Sequence, residues 1–471
     1  MAGLLTAQAL ARHFHRVSVV ERDSVPGRPV NRPGVPQGEH LHVILPGGQQ
    51  AIEALLPGFA DELVAAGAVD IAAPTELLWL SPAGWIDRFP ARHRIISATR
   101  PLIEWSTRRR VLATPNIVLL DGTAIDSLLP GFDGRRVSRV QLHGADDNPT
   151  ALRADLVVDA TGRPSRLPAW LDELGFERPA ETRIDASLSY ASRLYRRPPG
   201  ARDWKAAFIQ AKPPASGRMA AMFEVEDDRV LLTVQGAGGD HPPRDEAGFL
   251  DFVRSLRSPV VYETIRDAEP LTSIAGFANT ANRRRSYEKL RRWPERLVAV
   301  GDSACAFNPV YGQGVSVAAL TAVRLDEALE RHRGRSLDGF APAFRHEVAA
   351  AGKAAWMIAT GDDLRYPSTT GAKASAAMRL QHRYLDRVMA AATTDERAMA
   401  ALTDVLFLLA RPESLFKPAM VRRALRHPNR AAKPQESGAD AAQIGKSVRA
   451  WDSHGRRHDD LPTFLVDPRR R

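Results

Sequence analysis

The stretch "RLVAVGDSACAFNPVYGQGVSVAALTAVRL", residues 296–325, decides how the rest of the chain is read. An apolar run from Leu297 to Val300 stops at Gly301-Asp302, and ten residues after Asp302 the step Gly312-Gln313-Gly314 opens a long apolar run. That order reads as strand, glycine-bearing turn and helix. An acid at the C-terminal edge of a strand can accept a hydrogen bond from a ribityl hydroxyl. Glycines at a helix N-terminus let backbone N–H groups approach an electron-rich ring or a phosphate, assisted by the helix dipole.

Two other stretches carry the same grammar. The chain opens with "MAGLLTAQALARHFHRVSVVERD", in which Gly3 precedes an amphipathic run and Glu21 closes the apolar strand that follows, eighteen residues on. In a dinucleotide-binding unit the last glycine of G-x-G-x-x-G allows close packing of helix on strand, and an acid about 20 residues later reaches the adenosine ribose. Gly3 and Glu21 fit those two roles. The third stretch, "DLVVDATGRPSRLP" (155–168), ends a buried strand on Asp159-Ala160-Thr161-Gly162.

Composition narrows the alternatives. With 471 residues, 44% of them hydrophobic, the chain has room for two or three packed units. Cys305 is the only cysteine, which excludes an internal disulfide framework and fits a reducing, cytoplasmic compartment. No apolar run reaches the ~18–20 residues of a membrane span. The net charge of +10 comes from 65 basic and 55 acidic residues that are interspersed, so solvated faces account for it better than a nucleic-acid surface does.

The punctuation suggests a discontinuous organisation. Residues 1–75, 100–181 and 283–350 read as one α/β domain with a parallel sheet, and 76–99 with 182–282 as a β-rich insertion. Residues 351–426 read as C-terminal helices, and 427–471, rich in Arg, Pro, Asp and Ser, as a disordered tail. "ELLWLSPAGWIDRF" and "AAMFEVEDDRVLLTVQG" each look like two strands about a turn.

Taken together, the three stretches resemble the FAD-dependent aromatic-hydroxylase-like monooxygenases, and within them the bacterial epoxidase-type flavoproteins of polyketide and polyether pathways. "NPVYGQG" (308–314) is the most specific part of that likeness, which covers most of Met1 to about Ala350. The resemblance implies a Rossmann-like FAD-binding domain with an inserted β-rich substrate domain. It gives Asp302, Pro309, Gly312 and Gly314 contacts with the FAD ribityl and pyrophosphate. It also matches Arg32, in "NRPGVPQ", and Arg100, in "TRPLIEW", to two arginines that reach toward the cofactor. As the third glycine of the fingerprint, Gly3 leaves the first strand and two glycines unaccounted for. We therefore expect roughly ten residues upstream of Met1, carrying a Val/Ile-rich strand; a chain that truly starts at Met1 is expected to bind FAD weakly.

The activity implied is transfer of one oxygen atom of O₂, through a flavin C4a-hydroperoxide, to an apolar small molecule of secondary metabolism. No catalytic side chain and no metal are needed. Electrons would come from NAD(P)H, directly or through a flavin reductase. Asp159-Ala160-Thr161-Gly162 stands where the hydroxylases usually show Gly-Ala-Asp-Gly, and Cys305, Ser316 and Thr321 where they favour His, Asn and Asp. These departures bear on direct NADPH handling. The Trp-x-Trp-x-Ile-Pro signature of tryptophan halogenases is absent, which argues against a halogenase. Two rivals remain, a prenyl double-bond reductase on the same framework and an inactive homologue. Gln37, His40 and His42 fall in a loop that the family brings near the flavin ring, where they either gate it or satisfy the structure. Trp79, Trp85, Trp204, Phe208, Met222 and Phe223 are candidates for core or for the wall of a substrate pocket.

Overall fold

The computed structural model describes residues 1–143, 150–200 and 202–426; the tail expected over 427–471 lies outside them. Helices and strands alternate through the first half, a block of antiparallel strands follows, and helices close the described chain.

Parallel pairing occurs where the sequence places its apolar runs. Val17–Val20 pairs with Ile117–Leu120, and Val157–Asp159 with Leu297–Ala299. These are two separate ladders, and no described strand joins them into one sheet. The helix Ala2–Leu10 packs its N-terminal end on the second ladder: a Cβ on Gly3 would lie 3.4 Å from the Cβ of Ala160, and one on Gly301 would fall 2.7 Å from that of Ala2. Around both ladders one core gathers the fully buried Leu5, Ile103, Val111, Leu167, Leu297 and Leu325. Each such side chain contributes about 1.5–3 kcal/mol of burial.

The largest sheet has seven strands. Met219–Val225 and Arg229–Ala237 form its central hairpin, turned at Asp227 and Asp228, which both adopt positive φ. Aspartate tolerates that region better than most residues. Leu188–Arg196 and Ala275–Phe277 extend the sheet on one side, and Ala206–Ile209 and Leu77–Ser81 on the other. The turn after Ser81 returns the chain at Gly84–Trp85. Helices Glu246–Arg254 and Val260–Ile265 cover one face of this sheet. Part of the other lies on a cluster that includes helices Ala376–Ala392, Glu396–Leu406 and Pro418–Arg426. No described helix is long and apolar enough to cross a membrane.

Candidate functional site

The buried strand Leu297–Ala299 delivers the chain into a tight turn. Gly301 sits at φ +61°, a conformation that other residues rarely adopt. Ser303 pins the turn through Oγ, which lies 2.8 and 2.7 Å from the carbonyl oxygens of Asp159 and Val300 and shares its one proton between them. The chain then pairs Cys305–Ala306 against Arg284 and Arg283. Asn308 caps the next turn, its Oδ1 accepting the Val310 N–H at 3.2 Å, and Gly312 at φ +65° reverses the chain into the helix Gly314–Arg331. That helix has no acid in its first turn and no side-chain cap from Gln313. Its leading N–H groups and the positive end of its dipole are therefore available to an anion or a polar ring edge. A Cβ on Gly314 would meet nothing within 4 Å.

Arg100 opens the helix Arg100–Leu112, with Thr99 as its cap and Pro101 in its first turn. Its Nη2 lies 3.2 Å from Glu104 Oε2, while its Nε is buried without a partner. Arg32 is differently placed: Nε donates to Glu104 at 2.8 Å, and Nη1 to Asp23 at 2.6 Å, with Glu21 at 3.1 Å. Burial works against the charge of Arg32, but Glu104 and Glu21 outweigh it and raise its pKa. Burial alone would raise the Glu104 carboxyl; the positive charges around it, Arg100 and Arg32 among them, instead hold it below the usual carboxylate range. Arg32, Arg100 and Glu104 line a shallow cleft that opens to solvent beside Trp105 and Arg108.

Asp302 stands at the strand's edge with 38% of its side chain exposed, its Oδ2 3.7 Å from Arg163 Nε. Partial burial of the carboxylate raises its pKa, opposed by Arg163, Arg100 and Arg283. Arg163 itself donates to the carbonyls of Ala281, at 2.9 Å, and Phe307.

The expected residues thus fall into four places. Glu21, Arg32 and Arg100 converge, joined by Asp23 and Glu104. Asp302 lies within electrostatic reach of Arg100 and is paired with Arg163. Pro309, Gly312 and Gly314 form the turn at the helix start, and Gly3 packs on Ala160. Sequence reasoning missed Glu104 and Arg163. Glu104 stands four residues after Arg100 on the same helix, a spacing that brings the two side chains together, and that was the available signal.

The pocket residues expected from the sequence do not share a wall. Trp85, Trp204 and Met222 pack on the face covered by Phe249, Phe252 and Val261. Trp79, Phe208 and Phe223 pack on the opposite face. Adjacent strand residues point to opposite sides, so Met222 and Phe223 cannot line one cavity. On the second face Ser192 pairs with Thr233 and Tyr190 with Gln235. There His40 Nδ1 meets Ser192 Oγ at 2.8 Å, Ser192 Oγ meets Thr233 Oγ1 at 2.6 Å, and Tyr190 stacks on Phe277 with ring centroids 5.3 Å apart. Burial lowers the His40 pKa to about 4, so the ring is neutral at physiological pH. His42 is held lower still, at about 3, by burial and then by Arg100.

No protein-family model matches the chain. Protein Rv3254 of Mycobacterium tuberculosis is 32% identical over 410 residues, spanning 84% of this chain and 85% of the relative. Among solved structures, the flavin-dependent brominase Bmp2 superimposes with a TM-score of 0.63 at 15% identity, covering 91% of this chain and 96% of its own. PqsL, described as a probable FAD-dependent monooxygenase from Pseudomonas aeruginosa, gives a TM-score of 0.54 at 20% identity, covering 77% and 95%. At such identities the likeness to the two structures is one of fold, and the fold is that of flavin-dependent monooxygenases and halogenases.

Proposed function

The chain belongs to the same family as Protein Rv3254 of M. tuberculosis, and from that premise we propose that it is an FAD-dependent monooxygenase acting on an apolar small molecule by epoxidation or hydroxylation. The observation that carries this reading is the buried Nε of Arg100, which has no partner, in a chain that also leaves the N-terminus of an eighteen-residue helix without a side-chain cap. Buried donors are almost always satisfied. A phosphate-bearing cofactor supplies the acceptors that both features lack.

Bound FAD would supply the activation of O₂, with electrons from NAD(P)H directly or through a reductase. Arg100 would hold the pyrophosphate, and the backbone N–H groups from Gly312 onward the polar edge of the cofactor. Asp302 would accept from a ribityl hydroxyl while Arg163 keeps its carboxylate oriented. Arg32 acts in this scheme through Glu21 and Glu104, holding both carboxylates in place rather than meeting phosphate itself. We assign the substrate to the sheet face that carries Tyr190, Phe208 and Gln235, where apolar rings exclude water and the Gln235 amide offers a polar handle.

The test has two parts. Arg100→Ala should weaken FAD binding about ten- to hundredfold, the worth of a charge-assisted hydrogen bond, measured by flavin fluorescence titration. Turnover of candidate apolar substrates under ¹⁸O₂ should put one labelled oxygen into product. Unlabelled product that has lost a double bond would replace this reading with the reductase, and a protein that binds no FAD would end it.

A further inference from the structure

Behind the Asn308–Gly314 turn lies a carboxylate that the reading above leaves unused. Asp363 is the last residue of the helix Phe340–Asp363 and is completely buried. Its Oδ2 accepts from Asn282 Nδ2 at 2.6 Å, and its Oδ1 from the Tyr311 hydroxyl at 2.7 Å and Asn308 Nδ2 at 3.3 Å. Asn282 Oδ1 in turn accepts the backbone N–H of Asn308 at 2.7 Å. One carboxylate therefore holds the turn at both Asn308 and Tyr311. The Tyr311 hydroxyl is also 3.1 Å from Oδ2 of Asp362.

A phenol has one proton and can donate it to only one of two carboxylates. Both contacts are hydrogen bonds only when a further proton sits on one of the carboxyls. In one arrangement Asp362 carries it and donates to the phenol oxygen, while Tyr311 donates to Asp363. In the other, Asp363 carries it and both bonds reverse. The shift between them balances: Asp362 gives its proton to the phenol oxygen, the phenol gives its own to Asp363, and Tyr311 is neutral before and after. The Asp362 side chain is 45% exposed, so solvent reaches this end of the chain and not the other. When the further proton leaves, a lone pair of the phenol faces a carboxylate and one bond is lost.

We propose that Asp362, Tyr311 and Asp363 form a one-proton relay that positions the Asn308–Gly314 turn and loosens it when the shared proton departs. Its bearing on catalysis rests on the reading that this turn helps to hold FAD; the latch itself needs no cofactor. Burial pushes the Asp363 carboxyl up to about 7 against the hydrogen bonds from Tyr311 and Asn308, which pull it down, with Asp362 and Asp185 adding to the rise. Partial burial also raises Asp362, against the pull of Arg365 at 3.4 Å, of the hydrogen bond from Tyr311 and of His382, with Asp386 acting in the same direction as burial. Tyr311, pushed up by burial and by Asp362, Asp363 and Tyr366, keeps its phenol proton. The relay accordingly empties as pH rises through neutrality.

Amide hydrogen exchange by mass spectrometry, corrected for the intrinsic pH dependence of exchange, tests this on peptides spanning residues 305–316 of the full chain without added flavin. Between about pH 6 and 8.5 the wild-type peptide should lose protection about three- to tenfold, the effect of one part-buried hydrogen bond. Asp362→Asn puts an N–H donor beside the phenol oxygen at every pH, so its turn should stay protected with no step. Tyr311→Phe removes both bonds of the hydroxyl and leaves those of Asn308, so its turn should be looser than wild type at low pH, again with no step. A wild-type step that persists in Tyr311→Phe, equal loosening in the two variants, or a wild type without a step would overturn the relay. FAD titration of the same proteins is read separately: failure of all of them to bind flavin would end the cofactor reading and leave the relay to be judged by exchange.

Discussion

On one face of the seven-stranded sheet Ala191, Ala207, Met222, Leu232 and Val234 are packed under two helices and present only hydrocarbon or thioether. On the other, the same strands present Tyr190, Ser192, Thr233 and Gln235, and the partners are His40, Phe277 and the aromatic residue Tyr366. Both sets are buried. The difference is therefore not exposure but polarity. Polar groups taken out of water weaken a sheet unless each is paired, and on this face His40, Ser192 and Thr233 pair with one another while Gln235 Oε1 is left without a partner.

The largest expected effect lies on the apolar face. Leu232 is fully buried among the side chains under Phe249 and Phe252. Leu232→Ala removes that contact and leaves a cavity, at a cost of about 2–5 kcal/mol. Urea denaturation should show this loss, with FAD affinity unchanged in the folded fraction. If ligand binding weakened while stability held, the two faces would have been assigned the wrong way round.

Ser192→Ala probes the other face and should cost less. The hydroxyl bridges His40 Nδ1 and Thr233 Oγ1. Thr233 still accepts the Leu41 N–H at 3.2 Å without it, but the buried imidazole loses its Nδ1 partner. An unsatisfied buried group costs about 1–3 kcal/mol. Ser192→Thr should recover part of the loss by restoring the oxygen. A loss above about 4 kcal/mol, or no loss at all, would show that the chain from His40 to Thr233 is not what orders this face.

How far the sequence revealed this contrast depends on the kind of signal each part carries. The strand, turn and helix over residues 296–325 were legible because glycines and Asp302 punctuate them, and punctuation is local. The hairpin at Asp227-Asp228 was legible for the same reason. The split of the parallel strands into two ladders was not, since pairing partners such as Val157 and Leu297 are far apart in the chain. Nor were the two faces: a sheet buried on both sides is apolar at odd and even positions alike, so Trp204 and Met222 could not be separated from Trp79 and Phe208 without the register. Among the site residues Arg32 and Arg100 looked equivalent. Three carboxylates engage Arg32, whereas Arg100 keeps an unpartnered N–H, a distinction set by Glu21, Asp23 and Glu104 converging in space.

The smallest effect on stability, and the sharpest on the comparison, belongs to Gln235. Its side chain is 1% exposed, and its Oε1 has no hydrogen-bond partner. Its amide lies within hydrogen-bonding reach of Tyr366. In Gln235→Leu the loss of a neutral bond to Tyr366, worth about 0.5–1.5 kcal/mol, is offset by removal of an oxygen that has paid desolvation for nothing in return. The net change should therefore stay within about 1 kcal/mol, by urea denaturation. If that oxygen is kept for a ligand, the apparent KM for an apolar substrate bearing a hydroxyl should rise about tenfold, whereas that for its deoxy counterpart should not. Equal changes for both substrates would make Gln235 a packing residue, and the polar face would then be a feature of folding and not of recognition.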